Sequence, residues 1–329
     1  MLKYFNSAYF SRTLILVSLA ALMWLPAFII PAKTTIAQNP APLYQLFLFL
    51  TGGSIYLQLS IAFILTIVSA LLLNQIVTEF GISEKISQQG TFVYLIFSGA
   101  MSCYTTMNVP VLISLPALLF LRTLFKMTEA KDPVPLAFNA ALLLGIIALF
   151  YLPSLYLIVL LWVSMMIFRV GNWRNFAVTV IGLLLPFVFA FTWYFWNDQI
   201  PEAYTLLLSS LTFHFPDITA FSPGDMGIAP ILLVFILVSA AQTNSRLMEK
   251  NIDIRQMLLV TIWFLAGGFV LILFFSESTA DSLVLIVPAS ILFVSVVSET
   301  RNLKWFERAI RLLVLLALVN QYTHLFYAA

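Results

Sequence analysis

The sequence predicts an all-α protein, a polytopic transmembrane helical bundle of about eleven helices with two short helical hairpins. Three observations carry that expectation. Of the 329 residues, 62% are hydrophobic and 9% are Asp, Glu, Lys or Arg, against roughly 25% charged residues in soluble domains. Thirty Phe and a mean hydropathy of +1.02 exceed what a soluble core could hide, so the solvent is lipid. Apolar runs that approach or reach the thickness of a ~30 Å hydrocarbon layer also recur along the whole chain.

The eleven runs are 13–31, 55–78, 91–106, 109–126, 136–151, 154–169, 175–197, 226–242, 257–275, 283–298 and 310–327. The first follows Lys3 and Arg12. Its Trp24 and Pro26, and the lack of a small-x-small cleavage site, predict a retained anchor rather than a signal peptide. Lys and Arg flanking membrane spans stay on the cytoplasmic side. With the N-terminus inside and eleven crossings, fifteen of the sixteen bases fall inside and only Lys33 falls outside. One added or missed helix would invert every later loop, so the C-terminus is expected outside. Trp193, Tyr194 and Trp196 mark the outer interface of the seventh span, and Trp173 and Trp305 sit beside basic inner loops.

The third to sixth spans contain a repeat. Tyr104 precedes Arg122 by eighteen residues, Tyr151 precedes Arg169 by eighteen, and the two units are 47 residues apart. Each hairpin turns tightly at a proline, Pro110 or Pro153. Runs of about 15 to 18 residues rise only ~22 to 27 Å, less than the hydrocarbon thickness. With Arg122, Lys126, Arg169 and Arg174 pinning the inner ends, the polar tips should sink below the outer surface. Polar backbone at that depth needs a cover of protein or water. We therefore expect an outward cavity lined by Tyr104, Thr105, Thr106, Asn108, Tyr151, Ser154 and Tyr156. Two outer loops flank it: 32–54, whose Leu43–Leu50 is too short to span, and 198–225, whose start at 200–213 reads as an interfacial amphipathic helix.

Two resemblances follow. Leu73-Asn74-Gln75-Ile76-Val77, the turn Phe150-Tyr151-Leu152-Pro153-Ser154, and Ile167-Phe168-Arg169 leading into Asn172-Trp173-Arg174 resemble an uncharacterised family of multi-pass inner-membrane proteins of Bacteroidota. More distantly, the order of elements over 1–197 resembles the GT-C class of membrane glycosyltransferases. It shares the inside N-terminus, a juxtamembrane helix in the first outer loop, two short hairpins and a seventh span. On that resemblance 1–197 form a GT-C-like transmembrane module, 198–225 an extracytoplasmic loop and 226–329 the C-terminal helices of a single integral-membrane domain. The GT-C class usually carries an acidic residue in its first outer loop, whereas 32–54 contain no Asp or Glu.

Candidate chemistry is confined to the remaining outer groups. His214, Asp217 and Asp225 form the best cluster for moving a proton. The competing reading makes them exposed or capping residues, since Ser222-Pro223-Gly224-Asp225 is a turn signal at the start of a helix. No spacing requires them to bind a metal. The single Cys103 forms no internal disulfide, and a formal charge of +2 gives no nucleic-acid surface. Gly52-Gly53 and Gly267-Gly268 lack the context of a phosphate loop, so no cofactor is expected. No charged residue lies at the middle of a span, which argues against ion-coupled transport. Asn320 and His324 share a helix face, and Asn74 and Asn139 are expected to bond between helices.

The function expected from these readings is the handling of a lipid-linked (polyprenyl-phosphate) glycan or another lipid in envelope biogenesis. The site would be in a bacterial inner membrane, with or without catalysis, and the partners would be membrane lipids. The alternatives are a transporter or lipid flippase and a structural subunit of an envelope complex.

Overall fold

A computed structural model describes residues 10–31, 41–83, 87–210, 212–213, 221–276, 278–299 and 303–328. It contains thirteen α-helices and no strand among the described residues. They are α1 (Phe10–Ile29), α2 (Pro42–Leu50), α3 (Ile55–Glu79), α4 (Gln89–Gly99), α5 (Val109–Lys126), α6 (Val134–Phe150), α7 (Ile158–Ile167), α8 (Trp173–Trp196), α9 (Ile200–Ser210), α10 (Pro223–Arg246), α11 (Ile252–Phe275), α12 (Ile286–Glu299) and α13 (Leu303–Ala328). Seven apolar helical segments, each of 18 residues or more, are long enough to cross a membrane. The chain is a multi-pass helical membrane protein. Helices α2 and α9 are the two extra short helices, where the sequence places Leu43–Leu50 and an amphipathic segment from Ile200.

One apolar core runs from Leu16 in α1 to Ala317 in α13. At its centre, all eleven residues of α4 are buried. The periphery is the reverse. Helix α8 buries only six of its 24 residues and turns Ile181, Phe189 and Trp196 outward, the last 84% exposed. A soluble protein rarely exposes so continuous an apolar face. Helix α8 instead packs its inner edge closely on α6. A Cβ on Gly145 would lie 2.7 Å from the Leu183 carbonyl, and one on Gly182 would lie 2.7 Å from that of Phe138, the close backbone approach that small residues permit between membrane helices.

Contacts at the two ends of the bundle follow the back-and-forth order of the spans. At one end, the basic end, Arg122 pairs with Glu79 at 2.8 Å, with Lys126 4.0 Å from the same carboxylate. Asn74 also accepts from the backbone N–H of Gly90, as an interhelical asparagine should. Asn139 does not behave as expected, since it is exposed on α6. At the other end, the tip end, the connections after α4, α6 and α11 gather.

The short spans yield at this tip end. Helix α4 stops at Gly99, well before the 106 expected from hydropathy, and a 3-10 turn occupies Ser102–Tyr104. The chain re-enters a helix at α5, where Asn108 accepts from the N–H of Val111 and Pro110 occupies the first turn. The second hairpin repeats this with a 3-10 stretch at Leu152–Leu157, and α12 is preceded by another at Thr279–Leu285. The two tyrosines of the predicted repeat, Tyr104 and Tyr151, each make one long-range hydrogen bond. The Tyr104 hydroxyl lies 2.6 Å from Ser282 Oγ, and the Tyr151 hydroxyl donates to the Phe275 carbonyl at 2.8 Å. Tyr104 thus fastens its hairpin to the connection between α11 and α12, and Tyr151 fastens its own to the last residue of α11, where that connection starts.

Candidate functional site at the hairpin tips

Where α4 ends, its last carbonyls have no helical partner. Two neighbouring amides of α13 supply the donors. Gln321 Nε2 donates to the carbonyls of Gly99 and Met101, both at 3.0 Å, and Asn320 Nδ2 donates to that of Ala100 at 3.4 Å. The next two backbone N–H groups point the other way and meet a carboxylate. Asp225 Oδ1 accepts from Ser102 N at 2.7 Å and from Asn320 Nδ2 at 2.7 Å. Its Oδ2 accepts from Ser102 Oγ at 2.6 Å and Cys103 N at 3.4 Å. Asp225 is 1% exposed, so this network ties down the end of α4 and the turn after it inside the bundle.

The sequence allowed Asp225 to cap its own helix, but the structure gives that task to Ser222, whose hydroxyl accepts from the N–H of Asp225 at 3.2 Å. The Asp225 side chain is thereby released to reach the first hairpin. Four donors match the roughly four lone-pair positions of a carboxylate, which makes Asp225 a clamp for the tip rather than a free proton acceptor. Gly224 is needed for the same geometry, because a Cβ there would overlap Asn320 Oδ1.

Beside the clamp lies a cleft of about 190 Å³ between α1, the first tip, the start of α10 and α13. Thr105 and Thr106 line it, together with Ser102, Cys103, Ser222, Asp225, Thr279 and Gln321. The other residues expected to share one cavity are dispersed. Tyr104 is buried against Ser282, and Asn108 is occupied in capping α5. Ser154 is 1% exposed and faces a crevice of only about 20 Å³ between α5, α6 and α11, together with Tyr151. Tyr156 is half exposed and stacks on Phe275. His214 and Asp217 lie outside the described residues, as does the side chain of His324.

The second tip instead borders an apolar groove. Leu149 at the end of α6 and Leu152 in the 3-10 stretch after it join Leu184, Val188 and Phe191 of α8 and Leu206 of α9 around a volume of about 370 Å³. Leu184, Val188 and Phe191 are each more than half exposed, so the groove opens onto the apolar outer face of α8. Near its rim, Tyr194 packs with Ala203 and Leu206 and holds Gln45, just after the start of α2, at 3.5 Å. A comparison with protein-family models finds no match, and a search of curated proteins finds no significant relative.

Sequence reasoning passed over Ser102 and Gln321. The available signal was the pair Asn320-Gln321 at the end of the apolar run Leu312–Val319, since uncompensated amides are costly at membrane depth.

Proposed function

We propose that the protein handles a lipid in cell-envelope biogenesis, at the outer leaflet of a bacterial cytoplasmic membrane, with its N-terminus cytoplasmic and its C-terminus periplasmic. The apolar groove between α6, α8 and α9 carries this reading. Its walls are almost wholly aliphatic and aromatic, and it is continuous with the exposed apolar face of α8. The occupant such a groove suits is an acyl or isoprenoid chain sliding in sideways from the bilayer, where it exchanges lipid contacts for equally apolar protein contacts.

The saturated hydrogen bonding of Asp225 supports a binding role over catalysis at that carboxylate. A polyprenyl-phosphate headgroup draws its support from the architectural resemblance to GT-C proteins. The repeated hairpins, the main argument for transport, are both fastened to the end of α11 or the connection after it, an arrangement better suited to a rigid platform than to alternating access.

The test is lipid retention. The full-length protein purified in detergent should keep a chain-bearing lipid, detectable by native mass spectrometry. Ala190 of α8 also lines the groove, and Ala190→Trp, which plugs it, should lower that retention at least fivefold. Phe189→Trp on the outward face of α8 should leave it unchanged. Equal retention in both variants, or none in the parent protein, overturns the reading.

A further inference from the structure

The cleft at the first tip has a donor and acceptor balance that identifies what it can hold. The hydroxyl of Ser102 gives its proton to Asp225 Oδ2, so the 3.5 Å contact with Ser222 Oγ runs from Ser222 to Ser102. Thr106 donates to the Cys103 carbonyl, and Thr105 to the Ser102 carbonyl or to Gln321 Oε1. Both amide protons of Gln321 go to backbone carbonyls, those of Gly99 and Met101. The protons of Ser102, Thr105, Thr106 and Gln321 are thus directed into the protein, which leaves their oxygens as acceptors; Ser222, Cys103 and Thr279 complete the polar lining.

Charge points the same way. Asp225 is the only ionisable carboxylate in the lining, and among the described residues no base forms an ion pair with it. Among the described residues, chain order puts the acids Asp198, Glu202, Asp225 and Asp281 at the tip end. A phosphate or carboxylate ligand would find few donors and a repelling field.

We propose that this cleft binds a primary ammonium group, carried by a lipid headgroup or by a small soluble amine. An ammonium has three N–H donors and no acceptor, the complement of this lining. The apolar wall formed by Pro26, Ala27 and Ile30 of α1 suits its carbon skeleton. A bare metal ion fits less well: it needs several oxygens converging at about 2.3–2.6 Å, and the cleft is wide. Asp225, already saturated, offers either ligand its charge rather than a free lone pair. The proposal is independent of the chain-binding groove.

Ethanolamine is the probe. Added to the full-length protein in phosphatidylcholine nanodiscs, it should raise the unfolding temperature saturably, while choline, which has no N–H, should need at least about tenfold more. Nanodiscs containing phosphatidylethanolamine should protect without added amine if the lipid is the source. Protection by free ethanolamine alone assigns a soluble amine, and either result supports the proposal. Ala27→Phe fills the cleft without touching a polar group and should abolish the effect. Thr106→Val removes one acceptor and should weaken it severalfold, so the test does not depend on altering Asp225. Lys33→Gln should bind as the parent does.

Equal protection by sodium or calcium chloride at matched ionic strength overturns the proposal in favour of a metal site. Protection by inorganic phosphate, or by no amine at all, also overturns it. Binding seen only in Lys33→Gln would assign the counter-charge to Lys33 and overturn it as well.

Discussion

The two hairpin tips are built on the same spacing and do opposite things. Each has a tyrosine eighteen residues before an arginine, and each tyrosine is tied to the end of α11 or the connection after it. Around the first tip, exposed backbone is met by Asp225, Asn320 and Gln321, and a polar cleft remains beside it. Around the second, Pro153 and the 3-10 stretch at Leu152–Leu157 leave an apolar surface bordering an open groove. One frame therefore presents polar groups at one position and apolar groups at another, the pairing that an amphipathic ligand or two different ligands would need.

The strongest way to break this comparison is Asp225→Ala. It leaves the N–H of Ser102 and the amide of Asn320 buried without an acceptor, each worth about 1–3 kcal/mol. We expect a loss of about 3 kcal/mol, read as a fall of roughly 6 °C or more in the unfolding midpoint at fixed scan rate and detergent. A fall under 2 °C would show that the first tip does not depend on its clamp and that the contrast between the tips is superficial.

Tyr104→Phe and Tyr151→Phe sharpen the shared part of the frame. Each removes one hydrogen bond to the end of α11 or the connection after it while keeping the ring. Each should cost about 1 kcal/mol, within the range measured between membrane helices. Similar losses for the two would establish the repeat as a mechanical one. A loss at Tyr104 several times that at Tyr151 would instead attach the tyrosine to the polar network of the first tip alone.

The readability of these features from sequence follows from their physics. The back-and-forth path was legible because basic residues and apolar length act locally, and the tyrosine repeat because a spacing survives without knowledge of neighbours. Helices α2 and α9 were legible for the same local reason. The clamp was not. Asp225 meets Ser102 across 123 residues of chain, and Asn320 meets Ala100 across 220. In a soluble protein an amphipathic pattern would mark which face of α4 or α13 turns inward, but in lipid both the packed and the exposed faces are apolar. Helix neighbours are therefore hidden. The same blindness let Ser154 pass as a cavity residue alongside Thr106: both are hydroxyls at a tip, and only packing separates a cleft from a crevice.

Ser154→Ala is the smallest expected effect and the cleanest control. Among the described residues the Ser154 hydroxyl has no hydrogen-bond partner, although it is fully buried. A buried hydroxyl without a partner is unfavourable, so its removal forfeits no bond. The void it leaves costs only a few tenths of a kcal/mol at about 24 cal/mol per Å³. These contributions oppose one another, and the unfolding midpoint should shift by less than the equivalent of about 0.5 kcal/mol in either direction. The matched substitution at the first tip, Ser102→Ala, removes a 2.6 Å bond to a buried carboxylate and should be clearly destabilising. If the two serines prove equally costly, the second tip holds its own polar network, and the division into a polar tip and an apolar one fails at its simplest test.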